Sequence, residues 1–327
     1  MSRMVTIFGG SGFVGRYVAR RMAKEGWRVR VATRRPNESL FVKPYGVVGQ
    51  VEPVLCNIRD DASVAAVLHG ADAVVNCVGV LNELGANSFD AVHVDGAARV
   101  ARLAAEQGVQ RMVHISALGA DADSDCDYAR TKAMGEAAVL DHMPDAVILR
   151  PSVIFGTEDQ FFNRFASMTR WGLVLPLAAA STQFQPVYVD DVAKAAVAGA
   201  LGTAAPGVYE LGGPETATLR ALIDKMLGEI HRNRVVVNLP HFAARIMAFS
   251  FDMMQKLSLG LIPNGLLTRD QLRNLAHDSI VSEGARGFSD LGIEPVVMAA
   301  VLPDYLWRFR PSGQFDEITQ SAGNLRP

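Results

Sequence analysis

The chain has 327 residues, 49% of them apolar and 20% charged, with a formal charge of −2. That length can bury a large core, and the charge leaves no basic field for nucleic acid. Three cysteines, Cys56, Cys77 and Cys126, lack CxxC spacing and read as buried thiols of a reducing compartment.

The apolar run from Met4 to Phe8 reads as a first strand, with no signal peptide expected ahead of it. In FVGRYVARRMAKEG, Val14, Val18 and Met22 fall four apart on one helical face, and Gly26 stops it. RVRVAT and VEPVLCNI read as the next strands, DDASVAAVLHG as a helix and ADAVVNCVGV as a buried strand. SFDAVHVDGAARVARLAAEQG reads as one long helix ending at Gly108, VQRMVHIS as a fifth strand, YARTKAMGEAAVLDH as a helix and DAVILRPS as a sixth strand. The alternation predicts an α/β fold, a Rossmann-type doubly wound parallel sheet of order 3-2-1-4-5-6.

After Pro151 the rhythm fades. PVYVDDVAKAAVAGAL reads as a strand and helix returning to the main sheet. The predicted organisation is therefore a nucleotide-binding domain over 1–156 and 185–203, with a smaller, mostly helical C-terminal domain over 157–184 and 204–327. The charge-free run from Trp171 to Val189 contains Pro176 and Pro186 and is too polar and broken to span a bilayer. The chain reads as soluble or peripheral, with a polar tail.

Gly9, Gly12 and Gly15 give G-x-x-G-x-x-G between a strand and a helix. Glycine allows the tight turn and the approach of backbone N–H groups to a pyrophosphate, and the helix start adds positive charge. Ser11, Phe13 and Val14 lie within the same turn. The second strand ends in Thr33, Arg34 and Arg35 where a ribose-binding carboxylate would select NAD(H). Guanidinium groups pair with a 2′-phosphate, so NADP(H) is the expected cofactor. Asn57 and Ile58, closing the third strand, are candidates to meet the adenine edge and face. Val78, Gly79, Ser116 and Pro151 complete the candidate cofactor set.

Tyr128 and Lys132 form Y-x-x-x-K at the start of a helix, which puts both on one face. An ammonium near a phenol lowers its pKa, and the phenol can then move a proton beside a hydride transfer. The lysine can also hold a nicotinamide ribose. No histidine among His69, His93, His114, His231 and His241 has metal-ligand spacing, and no metal site is expected.

On the glycine motif, YARTK, LRPSVIFG, VYVDDVAKA and YELGGPE, the chain resembles the extended and atypical short-chain dehydrogenase/reductase superfamily. That resemblance implies a working serine near the end of the fifth strand. Ser116 is present, but Ala117 stands at the adjacent position where many relatives carry it, and Ser124 is a second candidate. RPSVIFGTEDQFFNRFASM, QPVYVDDVAKA and YARTKAMGE narrow the resemblance to the nucleotide-binding accessory subunits of respiratory complex I (NADH:ubiquinone oxidoreductase). It implies tightly bound NADPH, no established turnover, and a peripheral position near the quinone-binding region and membrane arm. It also implies a place on the cytoplasmic side of a bacterial inner membrane, or the matrix side in a mitochondrion. Tyr128 and Lys132 would then hold ribose without catalysis. The other reading is a soluble NADP-dependent reductase or epimerase using Tyr128 and Lys132.

Phe242, Ile246, Phe249, Met253 and Leu257 form one apolar helix face. It is either core or a docking surface for partner subunits or the membrane. EDQFFNRF reads as a lid or an interface.

Overall fold

Short runs rich in valine and isoleucine build a sheet covered on both faces. The computed structural model describes residues 3–83, 85–170, 172–257 and 268–315. The strands are β1 (Met4–Phe8), β2 (Arg28–Thr33), β3 (Val51–Leu55), β4 (Ala73–Asn76), β5 (Arg111–Ile115), β6 (Val147–Pro151) and β7 (Gly207–Leu211). All pair in parallel, in the order 3-2-1-4-5-6-7. The expected doubly wound order of the first six strands is borne out. β7 is a correction, because Gly207 to Leu211 fall in the span expected to form the smaller unit yet pair in register with Val147 to Pro151.

Side chains alternate across the sheet, as the strand period requires. Val5 and Ile7 pack with Val18 and Met22 of α1 (Phe13–Lys24) and with Val192 and Ala196 of α6 (Val189–Leu201). Phe8, on the other face, packs with Val64 of α2 (Asp61–Leu68), Val100 of α3 (Asp95–Glu106) and Val139 of α4 (Asp127–His142).

Two expected elements differ. The helix expected over 88–108 opens with a π-helical turn, Asp90–Val94, before α3 begins. The strand preceding α6 does not join the main sheet: Val187 and Tyr188 pair with Ile154 and Phe155.

The remaining core gathers Phe155, Leu177 and Phe184 around α5 (Phe162–Met168), α7 (Leu219–Glu229) and α10 (Leu302–Leu306). Asp159 is buried there, but the Tyr305 hydroxyl donates to it at 2.6 Å and the Phe161 and Asn163 N–H groups at 3.0 Å. These bonds offset the cost of burying its charge. Phe162 is fully buried, so EDQFFNRF supplies core as well as surface. In α8 (His241–Leu257), Ala244 and Ala248 face inward, while Phe242, Ile246, Phe249 and Met253 are exposed. The apolar face is thus turned outward. The Leu257 side chain and residues 316–327 of the polar tail lie outside the described residues. Cys56 and Cys126 are buried free thiols, and Cys77 is partly buried.

Candidate nucleotide-binding site

The chain leaves β1 through Gly9, at φ +70°, and enters α1 after Gly12. A Cβ on Gly15 would stand 2.3 Å from the Gly9 carbonyl oxygen and 2.6 Å from Gly10 Cα. Only glycine lets the first turn of α1, with Phe13 and Val14, rest against the strand end. Gly12 is the N-cap and provides no side-chain cap. The leading N–H groups of α1 therefore keep their hydrogen-bonding capacity and the positive end of the helix dipole. Arg16 fastens the turn. Its Nε and Nη2 donate to the Gly12 and Ser11 carbonyls at 3.2 Å, its Nη1 pairs with Glu158 at 3.2 Å, and its guanidinium lies over Phe41. Sequence reading missed Arg16, although its place directly after Gly15 was a usable signal.

At the end of β2, hydroxyls cluster beside the turn. Ser11 Oγ donates to Thr33 Oγ1 at 3.1 Å, Thr33 Oγ1 lies 3.4 Å from Ser39 Oγ, and Ser39 Oγ donates to the Arg35 carbonyl at 2.9 Å. Arg34 and Arg35 are both exposed. Arg35 pairs with Glu38 at 3.2 Å in open solvent, a weak interaction. Arg34 has no ion-pair partner among the described residues. Asn57 is exposed, and its Oδ1 accepts the Arg59 N–H at 3.2 Å. Ile58 packs in the core beside Gly96 of α3.

The other end of the candidate site is built from buried and half-buried side chains. Lys132 Nζ donates to the Ile115 carbonyl at 3.1 Å, and a Cβ on Gly79 would stand 3.3 Å from it. Burial pushes the Lys132 amine down to about 8, against the opposing charge of Glu136. Arg150 holds Glu136 with two nitrogens, at 2.9 and 2.6 Å. Lys132 Nζ lies 5.9 Å from the centre of the Tyr128 ring. The Tyr128 hydroxyl is nonetheless pushed up to about 12 by burial, with a smaller push from Cys126. The expected depression of this phenol by Lys132 is therefore not seen. Val78 packs close to Gly9, and Pro151 is buried with its carbonyl accepting the Leu118 N–H at 2.9 Å.

Ser116 follows β5 and is 4% exposed. Its Oγ is the one buried side-chain polar atom without a hydrogen-bond partner among the described residues. Ser124 Oγ instead accepts the Cys126 N–H at 3.2 Å and shapes the loop.

His93, from the π-helical turn, joins three pieces of this end. The Val80 N–H donates to its Nε2 at 3.0 Å, and its Nδ1 lies 3.1 Å from Thr131 Oγ1, which donates to the Asp127 carbonyl at 2.8 Å. A neutral ring protonated at Nδ1 satisfies all three bonds. Burial, then the charge of Lys132, pushes His93 down to about 3. The ring stacks on Phe89 and meets Tyr128 edge-on. A Cβ on Gly135 would stand 2.2 Å from the His93 carbonyl oxygen, so a glycine there lets α4 close on this turn. Sequence reading treated His93 only as a non-ligand, because a π-turn has no periodic signature of its own.

The C-terminal segment reaches the same helix. Asp270 of α9 (Arg269–Asn274) accepts the Asp127 N–H at 2.7 Å and the Tyr128 N–H at 3.1 Å, capping α4. Beside it a cleft of about 370 Å³ lies between Leu81, Phe89, Phe249, Met253 and Arg273. A capping box between Thr268 and Gln271 opens α9, and the Tyr128 N–H that Asp270 accepts lies 142 residues earlier in the chain.

These residues fit a dinucleotide. An uncapped helix start behind a glycine turn accepts a pyrophosphate, and the unpartnered Ser116 hydroxyl marks a polar contact that the chain does not satisfy itself. No group of side chains suited to a metal ion occurs among the described residues, and none of their helices is long and apolar enough to cross a membrane.

Comparison with known proteins agrees with this geometry. Residues 5–212 match the NAD dependent epimerase/dehydratase family. Subunit 9 of the NADH dehydrogenase (ubiquinone) 1 alpha subcomplex of Arabidopsis thaliana is 35% identical over 316 residues, covering 95% of this chain and 79% of the relative. The NADH-ubiquinone oxidoreductase 40 kDa subunit of Neurospora crassa is 30% identical over 95% of this chain and 80% of its own. Among solved structures, the dTDP-glucose 4,6-dehydratase DesIV of Streptomyces venezuelae, with NAD and TYD bound, superposes with a TM-score of 0.69. It is 21% identical and covers 94% of this chain and 96% of its own.

Proposed function

The chain belongs to the NAD dependent epimerase/dehydratase family and, within it, to the group of the complex I subunits, and we propose that it is a structural NADP(H)-binding subunit of respiratory complex I. In this reading it stabilises assembly near the quinone-binding region. It sits peripherally on the cytoplasmic side of a bacterial inner membrane, or on the matrix side in a mitochondrion. The turn from Gly9 to Gly15 holds the pyrophosphate on the start of α1, with Phe13 and Val14 offering N–H groups. Arg34, exposed and next in sequence to Thr33, takes the 2′-phosphate, and Arg35 adds charge beside it. Asn57 and Ile58 border the adenine, and Val78, Gly79 and Pro151 border the rest of the groove. Ser116, Tyr128 and Lys132 hold the nicotinamide half.

A bound nicotinamide dinucleotide supplies a site for hydride gain or loss. This chain's side chains give that chemistry little help. The observation that carries the reading is the Tyr128 phenol, which burial pushes up rather than down although Lys132 Nζ lies 5.9 Å from its ring, in a chain that has Ala117 beside Ser116. Purified respiratory membranes test it: the chain should migrate in the complex I band and bring NADP(H) that resists dialysis. Its absence from that band would end this reading.

The retained Tyr128–Lys132 pair, with the amine pushed down to about 8, favours a second reading as a soluble NADP-dependent reductase or epimerase. NADPH turnover by the isolated chain, lost in Tyr128→Phe, would establish it.

A further inference from the structure

A group of arginines takes no part in the bonds of the glycine turn. They come from the ends of α5 and α7 and from the turn after α10, and they converge on Phe309. Arg170 and Arg308 each place a guanidinium over its ring, at 5.2 and 5.3 Å, and Arg232 Nε donates to its carbonyl at 2.8 Å. Arg234 donates to the Thr169 carbonyl from Nε at 3.0 Å and Nη2 at 2.9 Å, and Arg310 Nε donates to the Glu229 carbonyl at 2.9 Å. These bonds cap the ends of short helices, and Arg234 Nη1 donates besides to the Asn233 carbonyl at 2.9 Å. Capping by carbonyls does not neutralise the charge. Among the described residues, none of Arg170, Arg232, Arg234 and Arg308 has a carboxylate partner, whereas the salt bridges of the chain lie elsewhere. The carboxylate that lines the adjoining groove, Asp224, pairs with Arg220 at 3.1 Å. That groove, about 410 Å³, is walled by Arg232, Asn233 and Arg234. Crowding shows in Arg232, whose guanidinium is pushed down by burial and by the charges of Arg234 and Arg170.

Aliphatic side chains stand exposed beside this cluster. Leu173 is 75% exposed, Val174 54% and Val235 63%. They lie together, because the Val235 N–H donates to the Leu173 carbonyl at 3.0 Å and Val235 is the register partner of Val174. Apolar side chains projecting among arginines suit a surface that is anionic on its outside and oily just beneath. Aliphatic groups enter below the headgroups while guanidinium groups pair with phosphate. In a chain of net charge −2, such a patch reflects local construction rather than overall composition.

We infer that the face formed by Arg170, Arg232 and Arg234 with Leu173, Val174 and Val235 docks on an anionic phospholipid bilayer. It is a different surface from the outward face of α8. The inference rests on the complex I reading only for the presence of a bilayer nearby. Vesicle binding reads the patch, and the complex I band reads the assembly, so the two can fail separately.

The test is co-sedimentation of the full chain with vesicles of phosphatidylcholine alone and with vesicles about one-third phosphatidylglycerol. Binding is expected only to the anionic vesicles, and it should disappear at about 0.5 M salt, where screening is short-ranged. Arg170→Gln/Arg232→Gln/Arg234→Gln should weaken partitioning roughly a hundred-fold. Its melting temperature and nucleotide retention report whether it has folded. Should the triple variant not fold, the single exposed change Arg170→Gln should still cost several-fold, and Leu173→Ser should add to it. Indifference of the unaltered chain to lipid charge overturns the inference, as does unchanged partitioning of the folded variants. A triple variant that keeps vesicle binding yet leaves the complex assigns the patch to an acidic protein surface, and overturns it too.

Discussion

The two ends of the nucleotide groove are made differently. The phosphate end is backbone: Gly9, Gly12 and Gly15 bring a helix start to a strand end, and the closest approach is to a carbonyl oxygen. The other end is side chain: Lys132 is bonded to a carbonyl and His93 to a hydroxyl, while Ser116 is buried without a partner and the Tyr128 ring packs on Phe89 and His93. A cradle of backbone is kept as long as the glycines are kept. A proton-transfer apparatus can be lost with one side chain, and the resemblance to short-chain dehydrogenases implies a working serine at the position where this chain has Ala117. Binding can thus outlast reactivity within one groove.

The largest effect should come from breaking the backbone end. In Gly15→Val the new Cβ would lie 2.3 Å from the Gly9 oxygen, and no rotamer relieves that. We expect a loss upwards of about 3 kcal/mol, read as a fall in melting temperature together with loss of nucleotide. A normally stable Gly15→Val protein retaining NADP(H) would place the cradle elsewhere.

Acid should attack the side-chain end next. His93 and His114 are buried and pushed down to about 3, whereas unfolded histidine titrates near pH 6.5. Between those values the unfolded chain binds protons that the native chain refuses. Stability is therefore full above about pH 6.5 and falls as pH drops toward about 3. At pH 5 the cost is about 2 kcal/mol for each histidine. Denaturant melts at pH 7 and pH 5 check it, and equal stability at both would mean that water reaches these rings.

Smaller effects sharpen the contrast through ligand choice. Arg34→Ala should weaken NADP(H) about ten- to a hundred-fold, the worth of charged hydrogen bonds, and leave NAD(H) nearly unchanged. Equal losses for both would remove Arg34 from the 2′-phosphate. Ser116→Ala should act with opposite signs. Without nucleotide, deleting an unpartnered buried hydroxyl is neutral or stabilising by up to about 1 kcal/mol, while nucleotide affinity falls by about the same amount. Calorimetric titration and thermal melts on one preparation read both, and a loss of stability without nucleotide would show that the hydroxyl has a partner in the chain.

The sheet was legible because glycine turns and valine-rich runs recur with a helix between each pair. β7 was not, because its five residues include Gly207 and Glu210 and follow a stretch without that rhythm. Gly9, Gly12, Gly15, Tyr128 and Lys132 could be read from spacing alone. Arg16, directly after Gly15 and bonded to carbonyls four and five residues back, was within reach of the same reading. His93 and Asp270 were not, because their roles depend on tertiary approach: His93 through a π-turn, and Asp270 through a cap made across 142 residues. The α8 stripe had the right period but an undecidable direction, because its partners on the buried side are the small Ala244 and Ala248. An amphipathic pattern identifies a face and leaves open which side of it meets the protein.

The smallest expected effect is the most discriminating. Tyr128→Phe removes a hydroxyl that has no hydrogen-bond partner among the described residues, and keeps the ring that packs against Phe89 and His93. If the groove only holds a nucleotide, the variant should keep NADP(H) within a few-fold, since one hydrogen bond contributes about 1 kcal/mol. It should also enter the complex at the normal level. If the groove also reacts, the same change removes the proton donor while leaving the cofactor in place. Assembly and cofactor content measured on membranes carrying the variant separate these cases. Full cofactor occupancy with loss of function would transfer Tyr128 from a wall of the site to its chemistry, and Lys132, with its amine already pushed down to about 8, would go with it.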